Sequence, residues 1–152
     1  MSISSDHERI MEAVRGLLQS QYFAVLSTKG RTHPYVSLVG FAATEDLRFI
    51  VFATMEDTNK YRNISSDRHV SLLVDNRTNS AEDLEKAVAV TVLGAASKAQ
   101  GNEREDLEPL YLARHPELAD FLEDPRTALI KVTVSKYIFV SRFQEVFELE
   151  MP

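Results

Sequence analysis

The spacing of apolar positions changes period along this chain, and the changes mark its elements. Ile10, Met11, Val14, Leu17 and Leu18 recur at helical spacing, and Ser5 stands three residues before Glu8 as in a capping box, so an amphipathic helix is predicted over about 5–20. From Tyr22 the period shortens. The runs "YFAVLST", "THPYVSLVGFAA" and "RFIVFAT" are separated by turn signals at Lys29-Gly30 and Thr44-Glu45-Asp46, which predicts a meander of three strands. "FIVF" and "VSLLV" are apolar on both faces, the pattern of a sheet covered on both sides or closed on itself. In the long strand "AVAVTVLGAASKA", Gly94 predicts a bulge or a close approach of backbones. Residues 102–123 read as helical, divided by Pro109 and Pro116, and the chain returns to strand in "ALIKVTVSKYIFVSRFQEVFELE". The polar stretch "DNRTNSAEDLE" reads as a solvated connection. The expected class is mainly β, a β-barrel with flanking α-helices, its core built from the strands around Val25, Leu38, Val51, Leu73, Val92 and Val132.

Length narrows this to one domain spanning 1–152, since 152 residues bury one core and no linker or repeat divides them. The net charge of −6, with no run of Lys and Arg, argues against nucleic-acid binding. The absence of Cys excludes disulfides and thiolate metal sites. Charged residues at 6, 8, 9, 12 and 15 fit no signal peptide, and no apolar run reaches membrane-spanning length, so a cytoplasmic location with no membrane association is expected.

The segment "FATMEDTNKYRN" carries the densest candidate chemistry. If Asp57 caps a helix starting near Thr58, the free amides of Thr58, Asn59 and Lys60 converge with the Thr58 hydroxyl and the Lys60 charge, an arrangement suited to a phosphate monoester. Thr54 ends the preceding strand beside this corner. The same residues also describe an ordinary capped helix with a solvated lysine, and Glu56 and Asp57 would repel an anion unless both point away. His7, His33, His69 and His115 are scattered without metal-ligand spacing and read as surface or loop residues, so no metal is expected.

The run "RTHPYVSLVGF…LRFIVFATMEDTNKYRNISSDRHVSLLVDNR" resembles the pyridoxamine 5'-phosphate oxidase-like, FMN-binding split-barrel superfamily, with good correspondence over residues 22–94 and a looser one through "YLARHPELADFLEDP". The resemblance implies an FMN-binding split barrel, a homodimer with the cofactor at the subunit interface, and an oxidoreductase acting on an unknown small substrate. It places the FMN phosphate at Thr58, Asn59 and Lys60, the flavin edge at Ser37, Leu38 and Val39, and Ala53 and Thr54 just ahead of the phosphate corner. Asn76 and Arg77, at a strand end, would reach the neighbouring subunit's flavin.

Departures from that pattern limit what carries over. Asn59 stands where the oxidases usually have Arg, which removes a bidentate phosphate partner. Tyr111 matches the first of three substrate-phosphate residues, but His115 and Ala119 replace the Arg and Ser, and no C-terminal Arg and His pair is found in "SRFQEVFELEMP". The chain is therefore not expected to oxidise pyridoxamine 5'-phosphate. A non-catalytic flavin-binding or storage protein, a deazaflavin- or haem-binding relative, and a domain that has lost its cofactor stay open as alternatives.

Overall fold

A computed structural model describes residues 3–141 and 145–152, the side chains of residues 3 and 4 excepted. Residues 142–144, part of the stretch "SRFQEVFELEMP" in which no C-terminal Arg and His pair is found, lie outside the described residues. Helix α1 (Ile3–Ser20) is followed by strands β1 (Phe23–Lys29), β2 (Pro34–Ala43) and β3 (Phe49–Met55), helix α2 (Asn59–Ser66) and strand β4 (His69–Asp75). A single-turn helix α3 (Asp83–Lys86) leads into β5 (Ala89–Lys98). Then come α4 (Asn102–Arg114), a 3-10 turn (Pro116–Leu118), α5 (Ala119–Glu123), β6 (Thr127–Ser141) and β7 (Glu145–Glu150).

The strands are ordered β3-β2-β1-β4-β5-β6-β7, and β3 also pairs with β6, so β1 to β6 close into an antiparallel barrel. This is the mainly β class that the alternation predicts. Closure depends on the length of β6. One of its edges pairs with β5, while on the other Thr127 to Thr133 pair with β3 and Lys136 to Ser141 with β7. The ladder between β5 and β6 shifts register at Leu93/Gly94, where the predicted bulge lies. A Cβ on Gly94 would come within 2.6 Å of the Thr133 carbonyl, so only glycine lets the two backbones approach this closely.

The barrel interior is filled by Leu26, Phe41, Ile50, Phe52, Leu72, Val92 and Ile130, and α1 closes over it with Val14, Leu17 and Leu18. A second apolar layer lies outside β3 and β6, where Tyr111 and Leu122 of α4 and α5 pack on Ala42, Val51 and Leu129. The expected strands form, and the residues that marked them take different faces. Val92 and Val132 are interior, Val51 faces the second layer, and Leu38 and Leu73 are exposed on the outer surface.

Two further expectations are corrected. The first helix begins at Ile3, so Ser5 lies within it and does not cap it. Pro109 does not divide the helical segment; α4 runs through it, held against the barrel by Tyr111 and Leu107. Pro116 does stand at the first turn of the following 3-10 turn.

Candidate functional site

β2 pairs with β1 from Pro34 to Gly40, but with β3 only through Phe41, Ala42 and Ala43. Residues 34–40 therefore have a strand partner on one edge alone, and the barrel is split between this stretch, the end of β3 and the start of α2. A cleft of about 540 Å³ opens there between Pro34 and Tyr35 on one side and Asn59, Arg62 and Asn63 on the other.

The start of α2 is capped by Thr58, not by Asp57. Thr58 Oγ1 accepts from the Tyr61 amide at 3.3 Å and donates to the Met55 carbonyl at 2.9 Å, with Thr54 Oγ1 a further 2.9 Å away. These partners use the Thr58 hydroxyl fully, and Thr54 is buried, so neither hydroxyl is available as a ligand contact as expected from sequence. What the corner does present is the pair of first-turn amides of Asn59 and Lys60, and the Lys60 side chain, which has no hydrogen-bond or ion-pair partner among the described residues. Asn63 clips the helix to the end of β1 by donating to Thr28 Oγ1 at 3.0 Å.

Charge at this corner differs from the sequence expectation in two ways. Glu56 is held by Lys98 at 2.5 Å, an interaction that raises the Lys98 pKa, so this carboxylate is offset within the chain. Arg62 folds back over the helix start, donating to the Asp57 carbonyl at 3.0 Å and to Asn59 Oδ1 at 2.5 Å. Arg62 thereby brings a guanidinium to the corner that Asn59 lacks. Sequence reasoning passed over it, although its spacing of three from Asn59 is the signal that could have revealed it.

The other candidates divide by orientation. Ser37 lies on the stretch of β2 paired on one edge alone, and its hydroxyl is buried without a hydrogen-bond partner among the described residues. Val39 is packed into the barrel interior, Leu38 is 68% exposed, and Ala53 packs toward the second apolar layer. Asn76 pins the β4–β5 connection, its Oδ1 accepting from the Val88 amide at 2.8 Å, while Arg77 pairs with Asp75 at 2.8 Å. Within one chain β1 and β2 separate β4 from the gap, so Asn76 and Arg77 are not brought to the α2 corner.

His115 is the clearest departure. Expected at the surface, it is 2% exposed, with Nε2 donating to the Phe41 carbonyl at 2.8 Å and its ring 4.9 Å from that of Tyr111. Tyr111 donates to the Gly40 carbonyl at 3.1 Å, and burial pushes its pKa up to about 12. Gly40 makes room for the imidazole, since a Cβ there would lie 3.0 Å from His115 Cε1. Tyr111 and His115 thus anchor α4 to β2 rather than facing a ligand.

The sequence profile of pyridoxamine 5'-phosphate oxidase matches residues 10–141, most of the chain. The chain belongs to that family. Solved structures agree with the split-barrel architecture of this family member. A heme-binding protein from Mycobacterium smegmatis superposes with a TM-score of 0.82 at 16% identity, over 92% of this chain and 57% of that one. This family member therefore spans little more than half of that protein's length. General stress protein 26 from Bacillus anthracis gives 0.68 at 19% identity, over 94% and 99% of the two chains. A FAD-binding protein from Mesorhizobium loti gives 0.69 at 14%, over 86% and 90%. At such identities the likeness establishes the fold alone. No curated protein matches the chain in sequence.

Proposed function

We propose that this family member binds FMN in the split beside β2, with the phosphate at the start of α2 and the ring along residues 34–39, and that it acts as an oxidoreductase on a small molecule. The observation that carries this reading is the stretch of β2 with one strand partner, opening onto the face of α2 that bears Asn59, Arg62 and Asn63, while the first turn of that helix offers two free amides and a Lys60 side chain unpaired among the described residues. A helix N-terminus with a full positive charge suits a phosphate monoester. The donor set fits the group: Asn59 and Lys60 supply amides, Lys60 and Arg62 supply charge, and the orphaned Ser37 hydroxyl sits on the stretch where a polar ring edge would meet it. When bound, FMN supplies the redox chemistry of its ring; the chain positions it and excludes water.

Two copies of the chain complete the proposed site. Phe23, Val36 and Leu38 are 60%, 63% and 68% exposed, and strand register sets them on one outer face of β1 and β2. A second copy laid on this face buries these side chains and the flavin together. Because the anchored Tyr111 and His115 replace a substrate-phosphate grip, pyridoxamine 5'-phosphate is not the substrate in this reading.

The test is a comparison of FMN with riboflavin. Lys60→Ala lowers FMN affinity roughly tenfold to a hundredfold, the value of a charge-assisted contact, and leaves riboflavin almost unchanged. Equal loss for both ligands would take Lys60 out of the phosphate site. Reduction of the bound flavin by a nicotinamide cofactor, followed by reoxidation by an acceptor, separates an oxidoreductase from a flavin-storage protein.

A further inference from the structure

On the side of the β1–β2 turn away from α2, the sheet curls into a larger cleft of about 990 Å³. It is walled by the end of β1, the start of β4, the bulged part of β5 and the middle of β6, and shares with the α2 cleft only the rim formed by residues 30–34. No Asp or Glu side chain lines it among the described residues. Lys29, Arg31, Arg68, His33 and His69 do, in a chain whose net charge is −6.

The partners of these basic side chains separate them. Asp67, standing behind the wall, holds His69 Nδ1 at 2.8 Å and Lys29 at 3.5 Å, and its carboxyl is drawn down to about 2 by the His69 amide and ring. Arg31 and Arg68 have no side-chain hydrogen bond or ion pair among the described residues. Between them the cleft floor carries the hydroxyls of Ser27, Ser71 and Ser97, also without a described side-chain partner. β1 and β4 pair directly, Ser27 opposite Ser71, so strand register brings these groups together from distant parts of the sequence. Met151 and Pro152, the latter with its terminal carboxylate, complete the wall, and basic side chains still outnumber that one carboxylate. A guanidinium offers oxyanions two parallel hydrogen bonds.

We propose that this cleft binds an organic phosphate of about nucleotide size, with Arg31 and Arg68 clamping the phosphate oxygens and the serine hydroxyls meeting the polar remainder. Its volume lies at the upper end of small-molecule sites. The site lies across the shared rim from the α2 corner, with Arg31 on that rim and Ser27 beside Val36 at the edge of the face proposed above for a second copy.

Isothermal titration with ADP, inorganic pyrophosphate and adenosine tests the assignment. ADP and pyrophosphate bind, adenosine binds at least tenfold more weakly than ADP, and added salt weakens the two anions. The exposed pair Arg31→Ala and Arg68→Ala, combined in one variant with an unchanged melting curve, loses tenfold or more in ADP affinity. Arg31→Lys with Arg68→Lys, which keeps the charge but not the fork, loses less. Lys60→Ala leaves ADP affinity unchanged, and saturating FMN does not displace ADP. ADP binding no tighter than adenosine, or unchanged in the double alanine variant, overturns the proposal. Competition between ADP and FMN also overturns it, by moving the anion to the α2 corner, while leaving the flavin reading intact.

Discussion

The two ends of β2 are made of similar residues but are used in opposite ways. From Gly40 to Ala43 the strand is enclosed, with β3 paired on it and Tyr111 and His115 bonded to the Gly40 and Phe41 carbonyls. From Pro34 to Val39 it has β1 on one edge and a gap on the other, with Val36 and Leu38 in solvent. The difference teaches where this chain spends its sequence on stability and where it leaves groups unsatisfied. A buried Ser37 hydroxyl and exposed apolar side chains sit at the open end, and Lys60 at the start of the nearby α2 has, like Ser37 Oγ, no partner among the described residues. Polar groups left this way are costly unless a ligand or partner meets them.

Substitutions at the closed end therefore carry the largest effects on folding. Tyr111→Ala removes one of the largest fully buried side chains and is expected to cost about 3–5 kcal/mol in urea unfolding. A loss below about 1 kcal/mol would show that α4 contributes little to holding the split. Gly40→Ala comes next. Its Cβ would press on the His115 ring at 3.0 Å, and displacing that ring costs about 1–3 kcal/mol; His115→Ala in the same chain should relieve part of the strain, so the two effects are non-additive.

Tyr111→Phe isolates the hydroxyl, with an expected loss of about 0.5–1.5 kcal/mol at neutral pH. It also alters the alkaline limb. Burial raises the Tyr111 pKa from 10.0 to about 12 and raises that of Tyr137 as well, so the folded state keeps these protons over a range in which the unfolded chain releases them. Stability is thus full below pH 10 and falls as pH climbs from 10 toward 12. Tyr111→Phe should make that fall shallower by one proton, and an unchanged slope would count against the buried assignment.

Much of this contrast was legible in the sequence, but unevenly. The meander, the bulge at Gly94 and the buried face of α1 follow from local periodicity, which a strand or helix expresses within its own residues. The cap of α2 did not, because Asp57 and Thr58 are both good caps. The choice falls to Thr58 through its bonds to Thr54 and Met55, residues of the preceding strand. His115 was misread for a related reason: its burial depends on the missing side chain of Gly40, 75 positions earlier. The cluster of Arg31 with Arg68 was likewise invisible as a run of charges, since it forms only when β1 pairs with β4.

The smallest effect on folding, and the sharpest test of the contrast, is expected from Leu38→Asp. Leu38 points away from the barrel at 68% exposure, so the substitution removes no core contact and should change the unfolding free energy of the isolated chain by no more than about 0.5 kcal/mol. If the open end is where a second copy sits, the same change places a charge opposite an apolar surface and raises the dimer dissociation constant by tenfold or more. Flavin affinity should fall with it, because a ligand that prefers the dimer stabilises the dimer, and weakening one equilibrium weakens the other. Sedimentation velocity across a dilution series, with and without FMN, reads both quantities. An assembly unaffected by Leu38→Asp would mean that the open end of β2 is not an interface between copies. The exposed Val36 and Leu38 would then have to be explained by the flavin alone.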